Sequence, residues 1–108
     1  MNQSLVVIME KEYAVIFKTK RQLPMPDAYI EMSHHLVERV SKLPGFLKID
    51  SVADTEGRGI SVSYWSSLEA IKKWKEEPLH LEAQKKGHSE WYLDYTVEIC
   101  EILKSYRK

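Results

Sequence analysis

The chain has 108 residues, 44% of them hydrophobic and 30% charged, and its 16 basic and 16 acidic side chains cancel to a formal net charge of zero. This length and apolar fraction predict one domain that needs no disulfide or metal to fold. Zero net charge argues against a nucleic-acid or anionic-membrane binder, and a single cysteine, Cys100, excludes an internal disulfide framework and a cysteine-rich zinc site.

The longest apolar stretch, Leu5 to Met9, is too short to span a bilayer or to form the core of a signal peptide. Together with the lone cysteine, this predicts a cytoplasmic protein in a reducing compartment, without a membrane partner. Residues 1–12 are expected to form an N-terminal arm or an extra edge strand ahead of a domain over residues 13–108.

Strand and helix patterns alternate from residue 13 onward. The β-branched and aromatic segment Tyr13–Thr19 predicts the first strand. A helix is predicted to begin at Asp27 and to end at Pro44-Gly45, because a proline and a glycine terminate helices. Its core-facing residues, spaced by three and four, are Tyr29, Met32, Leu36, Val40 and Leu43.

A hairpin and a broken helix follow. Phe46–Val52 and Ile60–Trp65 predict two strands joined by a polar loop over residues 54–59. Ser66 and Glu69 have the spacing of a capping box for a short helix. That helix is expected to turn Leu68, Ile71 and Trp74 inward.

Pro78 is expected to start a new helix that runs to Gly87 or beyond, since proline is tolerated at a first helical position. The last strand is predicted over Tyr95–Leu103. The order βαββαβ predicts an α+β ferredoxin-like plait, in which a four-stranded antiparallel sheet carries its helices on one face. The other sheet face would be exposed, so we expect a homodimer that packs sheet on sheet.

Candidate functional residues concentrate in the second half of the chain. His80, Gln84 and His88 have the spacing of one helix face, and Trp74 and Trp91 are predicted to lie near it. Two indoles with a few imidazole and amide groups are typical of a pocket for a small hydrophobic or aromatic ligand.

Ordinary structural roles compete with this interpretation. Tryptophans at helical spacing are more often core anchors, and His80 and His88 lie among charged residues, as surface histidines do. His34 and His35 are adjacent on a helix and cannot share a metal; His35 is expected to face inward. No metal-ligand spacing occurs, so no metal site is predicted.

Two segments of the chain resemble the antibiotic biosynthesis monooxygenase family. One is Ser63–Gln84 with Gly87 and Trp91-Tyr92 after it, and the other is the Pro44–Phe46 junction before the second strand. The resemblance covers about residues 13–103. It implies that ferredoxin-like protomers pair through their sheets into a dimeric α/β barrel, with a pocket between sheet and helices in each subunit.

The resemblance also implies an activity. Family members that oxidise phenolic polyketides use no metal or flavin, because the deprotonated substrate reacts with oxygen itself. His80 or His88 would be the catalytic base. The residues expected to contact the substrate are Tyr64, Trp65, Trp74, Gln84, Trp91 and His35. Because side chains alternate along a strand, only one of Tyr64 and Trp65 faces the helices.

A haem-degrading branch of the family uses an Asn on the first strand, a Trp near the second helix and an iron-ligating His ten residues later. Trp74 matches the Trp, but the His position falls on Gln84, and Phe17 or Lys18 stands where the Asn should be. An amide is a poor haem ligand. The expected cofactor is therefore none, and haem is disfavoured.

Two further functions share this fold order. A non-catalytic dimeric protein could bind a small hydrophobic ligand in the same pocket. RNA-recognition modules are also βαββαβ, but their third strand carries stacked aromatic residues, whereas Ile60, Ser61 and Val62 follow Arg58-Gly59 here. With zero net charge, a nucleic-acid partner is not expected.

Overall fold

A computed structural model of the chain describes residues 10–108. The elements are β1 (Glu12–Arg21), α1 (Asp27–Val40), β2 (Phe46–Ala53), β3 (Arg58–Trp65), α2 (Leu68–Glu76), α3 (Pro78–Lys86), one π-helical turn (Gly87–Trp91) and β4 (Tyr92–Ile102). Nine of the twelve residues of the predicted arm lie outside this range, and Glu12 belongs to β1. Within residues 10–108, no helix is long and apolar enough to cross a membrane.

The four strands form one antiparallel sheet in the order β2-β3-β1-β4, with helices on one face. This arrangement confirms the predicted ferredoxin-like α+β fold. Phe17 pairs with Ser61 of β3 and Val97 of β4, so these three residues lie on the same face of the sheet. Trp65 belongs to that face too, because it is an even number of residues from Ser61.

The buried core lies where α1 and α2 meet the end of β3. It consists of Val40, Trp65, Ala70 and Ile71, against which Tyr13, Val15, Leu43, Phe46 and Trp74 pack. Trp65 is fully buried, and its indole Nε1 donates a hydrogen bond of 2.8 Å to Ser63 Oγ. Because a buried N–H without a partner is costly, Ser63 makes the position suitable for tryptophan.

Helix α1 ends at Val40, earlier than the predicted end at Pro44-Gly45. A residue before proline avoids the helical conformation, so Leu43 leaves the helix, and its N–H donates to the Val40 carbonyl in a tight turn. Gly45 then adopts φ +90°, a left-handed conformation that favours glycine.

The predicted capping box is wrong by one residue. Ser66 N–H donates to the Gly45 carbonyl, and it is Ser67 that caps α2 by accepting a hydrogen bond from Ala70 N–H. Leu68 is 53% exposed, so the prediction that it faces inward is wrong, while Ile71 is buried as predicted.

The face of the sheet opposite the helices has no covering layer within residues 10–108. Val52, Ile60, Val62 and Tyr64 share this face by strand alternation; Val52 and Ile60 are exposed, and Val62 and Tyr64 are half-buried. Lys48 Nζ lies 4.8 Å above the Tyr64 ring. The uncovered apolar surface is the one from which the sequence predicts a homodimer.

Candidate active site

The corner between α2 and α3 positions His80. Glu77 has extended backbone angles and ends α2, and Pro78 occupies the first position of α3, as predicted. The Glu77 carboxylate accepts hydrogen bonds from the N–H groups of Leu79 (2.9 Å) and His80 (3.2 Å). These are donors that the first turn of a helix leaves unpaired, so Glu77 fixes where α3 begins.

His80 is held in one orientation against Trp74. The two rings are stacked with centroids 4.4 Å apart and planes 13° from parallel. His80 Nδ1 lies 2.9 Å from the Trp74 carbonyl oxygen, which can only accept a hydrogen bond. We therefore assign the proton to Nδ1, which leaves the lone pair of Nε2 free to accept one.

Burial of the imidazole lowers the pKa of His80 below its usual value; a hydrogen bond with the Trp74 carbonyl and the negative charge of Glu77 oppose this shift without reversing it. At neutral pH the ring is therefore uncharged. A neutral, half-buried imidazole with a fixed tautomer has the properties of a general base.

Gln84 lies one helical turn after His80, as its spacing predicts. Its amide nitrogen donates a hydrogen bond of 3.1 Å to the Lys75 carbonyl and lies 3.3 Å from His80 Nδ1. Because both nitrogens carry protons in the assigned tautomer, the Lys75 carbonyl is the hydrogen-bond partner. The structure thus brings together Trp74, His80 and Gln84.

A group of aromatic side chains lies on the helix-facing side of the sheet, between β1, β4 and α1. Its members are Phe17, Tyr29, Trp91, Tyr92 and Tyr95. Tyr29 meets Trp91 edge to face at 5.3 Å, and Phe17 meets Tyr92 in the same way at 5.5 Å. These edge-to-face contacts form a rigid, largely apolar wall.

Tyr92 is a polar member of this wall, and its phenol is held in the protonated form. Burial raises the pKa of its phenol, and the neighbouring Tyr29 phenol raises it further by charge repulsion and a hydrogen bond. Tyr92 therefore keeps its proton at any physiological pH and cannot act as a base.

His88 lies in the π-helical turn and not on α3. It is exposed, and its ring meets Tyr95 edge to face at 6.5 Å. A shallow cavity of about 280 Å³ is lined by His88, Tyr92, Leu93, Asp94 and Tyr95. Because the π turn interrupts the regular helical spacing, His88 contacts β4 while His80 and Gln84 contact each other.

Three predicted site residues lie elsewhere. Trp65 faces the helices but is fully buried in the core, and Tyr64 lies on the opposite face of the sheet. His35 is exposed on α1, so the prediction that it faces inward is wrong. Its place three residues after Met32 does not bury it, since α1 presents only a narrow stripe to the core, with Val40 its one buried residue.

The helices do not cover all of the helix-facing side of the sheet. Val97 and Ile99 of β4 belong to the helix-facing row with Phe17, yet they are 53% and 54% exposed. These exposed apolar side chains continue from Tyr95 along β4, and we call this strip together with the aromatic wall the groove. Such a groove is suited to an apolar ligand.

Sequence reasoning missed several residues of the site. Tyr92 was placed before the predicted start of β4, and Tyr29 was predicted only as a core residue. Glu77 is not among the predicted site residues, and its side chain is only 14% exposed. The signal for Glu77 was available, because a residue directly before a proline at the first helical position is the N-cap.

The residue at the position of the family's haem ligand does not fit iron. At the position where the haem-degrading branch has its iron ligand, Gln84 offers an amide whose nitrogen is already bonded to the Lys75 carbonyl. Nor does the described part of the chain contain a cluster of three or more His, Cys, Asp or Glu side chains able to hold a metal ion.

The fold and the site define an α+β protein of the ferredoxin-like class with an aromatic groove and a neutral histidine on the helix side of the sheet. The family model for antibiotic biosynthesis monooxygenases matches residues 15–86. The chain belongs to this family, as the sequence resemblance indicates.

Two relatives are similar in sequence. YqjZ of Bacillus subtilis, an uncharacterised protein, is 39% identical over 90 residues, which are 83% of this chain and 78% of that relative. A jasmonate monooxygenase of Pyricularia oryzae is 26% identical over 97 residues, 88% of this chain. The chain spans only 45% of the length of the latter protein.

Solved structures share the fold at low identity. SO0527 from Shewanella oneidensis superposes with a TM-score of 0.75 at 10% identity, covering 87% of this chain and 93% of that chain. A variant of SnoaB, a cofactor-independent oxygenase from Streptomyces nogalater, gives a TM-score of 0.71 at 10% identity over 93% of this chain and all of the other. At such identities the likeness shows the fold alone.

Proposed function

We propose that this protein is a cofactor-independent monooxygenase that acts on a small, electron-rich aromatic or quinol-like compound. The observation that carries the proposal is His80, a neutral imidazole with its Nδ1 proton bonded to the Trp74 carbonyl and its Nε2 free. Family membership and a fold shared with SnoaB, whose name describes a cofactor-independent oxygenase, support the reaction type.

In the proposed reaction, His80 Nε2 removes a proton from a phenolic hydroxyl or an adjacent activated CH₂ group. The resulting anion is a strong enough reductant to react with O₂ directly. One oxygen atom becomes the new carbonyl and the other leaves as water, so a CH₂ group and O₂ yield C=O and H₂O. The substrate itself supplies the electrons, and the protein binds, orients and deprotonates.

The groove supplies the binding. Phe17, Tyr95, Val97 and Ile99 offer an apolar and aromatic surface for a planar ring, and Tyr92 packs beside Phe17 and Tyr95. Trp74 and Gln84 act through His80, which they contact. Among the two histidines first predicted as bases, His80 is favoured because His88 is exposed.

The test is oxygen uptake with a panel of anthrones, dihydroxynaphthalenes and benzoquinols, followed by ¹⁸O₂ labelling of the product. Jasmonate belongs on the panel because the Pyricularia relative is named for it. We expect His80→Gln to lower the rate about 100-fold or more, the usual contribution of a general base. His88→Gln is the matched control and should change the rate less than about threefold.

Unchanged turnover in a variant that carries both His80→Gln and His88→Gln would overturn the assignment of a histidine base. A compound that binds without oxygen uptake in the unmodified protein would instead favour the non-catalytic binding protein. Loss of activity in His88→Gln alone would move the base to the cavity beside Tyr95.

We also propose that two copies of the chain pair through the uncovered sheet face. Val52 is 71% exposed and Ile60 is 43% exposed there, and burying both with Val62 would remove apolar surface from water. The groove lies on the opposite side of the sheet, so pairing would leave it open to substrate.

A further inference from the structure

Both oxygens of the Glu77 carboxylate make contacts with other groups of the chain. Oε2 accepts the N–H groups of Leu79 and His80, and Oε1 forms an ion pair with the Arg39 guanidinium of α1. The Glu77 side chain is 14% exposed, whereas that of Arg39 is 56% exposed. Each oxygen of this largely buried carboxylate therefore has a partner.

These contacts act directly on His80. Glu77 accepts a hydrogen bond from the backbone N–H of His80. The Trp74 indole stacks on the His80 ring, and the Trp74 carbonyl accepts the Nδ1 proton of that ring. The base is thus fixed at its backbone and its ring, and only Nε2 is free. Within the part of the chain that the structure describes, Glu77 is also the charged group whose field acts on the imidazole.

We propose that Glu77 is a positioning residue for His80, and that Arg39 sets how much negative charge Glu77 presents to it. This inference rests on the proposed role of His80 as the base. When Nε2 takes a proton, the imidazole becomes a cation, and the nearby carboxylate stabilises it. The positive charge of Arg39 offsets part of that stabilisation. The ion pair of Arg39 and Glu77 therefore links α1 to the basicity of His80 on α3.

The test uses nuclear magnetic resonance of the histidine rings in the full-length protein, so it needs no substrate. The His80 signals are assigned by their absence in His80→Gln. Their pH titration reports the pKa, and the ring-current shift of the His80 protons reports stacking on Trp74. The variants are Glu77→Ala, Glu77→Gln and Arg39→Met.

The matched control is Glu76→Gln, which removes the same charge one residue earlier from the exposed end of α2. It should change neither the His80 pKa nor the ring-current shift.

Each variant has its own expected result. Glu77→Ala removes the cap and should abolish the ring-current shift of His80. Glu77→Gln keeps an acceptor oxygen but loses the charge, so stacking should remain while the His80 pKa falls. Arg39→Met leaves the Glu77 charge unbalanced, so stacking should remain while the His80 pKa rises.

A purely structural role predicts a different pattern, because loosening the corner exposes His80 and moves its pKa upward in every variant. A rise in Glu77→Gln, or unchanged stacking in Glu77→Ala, would overturn the proposal. Should Glu77→Ala fail to fold, the opposite signs expected for Glu77→Gln and Arg39→Met still decide it.

Once a substrate is known, Glu77→Ala should lower turnover about tenfold or more through misplacement of the base. If no compound on the panel supports oxygen uptake, the proposed function fails while the magnetic resonance result on Glu77 stands.

Discussion

The stacked pair of Trp74 and His80 shows how one carbonyl group can define a candidate base. The Trp74 carbonyl at the end of α2 accepts the Nδ1 proton, and the indole covers the imidazole face. Sequence spacing identified both residues, and it placed Gln84 correctly beside His80. It could not predict the tautomer, because that depends on an acceptor from a different helix.

His80 should make stability depend on pH. Burial keeps its folded-state pKa below the value of about 6.5 expected in the unfolded chain, so below that pH the unfolded state binds more protons and stability falls. We expect the midpoint of urea unfolding to drop between pH 7.5 and pH 5.5, and to drop less in His80→Gln. Equal drops in the two proteins would contradict the assigned direction of the pKa.

Ser63 should matter for stability through the Trp65 indole. Ser63→Ala leaves Nε1 of a fully buried tryptophan without its acceptor, which should lower the free energy of unfolding by about 1–3 kcal/mol. Ser61→Ala is the control two residues away; its hydroxyl bonds to Ser51 in an exposed setting, so a change below about 0.5 kcal/mol is expected. Urea denaturation measures both.

At the scale of elements, the junctions determine where the site residues lie. Predicted and observed elements agree in type and order, and they differ at their ends. The helix predicted as far as Pro44 ends at Val40, α2 is capped by Ser67 and not Ser66, and β4 begins at Tyr92. These ends depend on hydrogen bonds between segments, such as Ser66 N–H to the Gly45 carbonyl, which local patterns do not contain.

Gly45 should be the most sensitive glycine of these junctions. At φ +90° a side chain is strained, and a Cβ would lie 2.6 Å from the Ala70 Cβ in the core. We expect Gly45→Ala to lower the free energy of unfolding by about 2 kcal/mol or more, with α2 displaced. Lys42→Ala, an exposed change in the same turn, serves as control, and similar stability of the two variants would refute the argument.

At the scale of the whole molecule, residues 10–108 present two exposed apolar surfaces, one on each side of the sheet. The uncovered face carries the predicted dimer contact, and the groove beside β4 carries the proposed substrate site. Because the sheet separates them, one surface can be covered by a second copy while the other binds a ligand.

Light scattering after gel filtration tests the dimer. We expect twice the chain mass of 12.7 kDa for the unmodified protein. Val62→Lys should shift the mass to that of a monomer, because an unpaired charge within an apolar interface is costly. Leu68→Lys, on the exposed surface of α2, should remain dimeric; a monomeric unmodified protein would refute the pairing.

The sequence by itself determined the fold class, the order of the elements, the break at Pro78 and the family. These follow from the periodicity of apolar residues, from the prolines and glycines that end helices and strands, and from motifs. All of these signals are local along the chain. Only the tertiary structure decided that Trp65 is core, that His35 is exposed, that Glu77 is buried, and that Phe17, Tyr29 and Tyr92 form one wall. The reason is physical: burial and ring contacts arise between segments far apart in sequence, such as β1, α1 and β4, so they exist only after the helices and the sheet have packed.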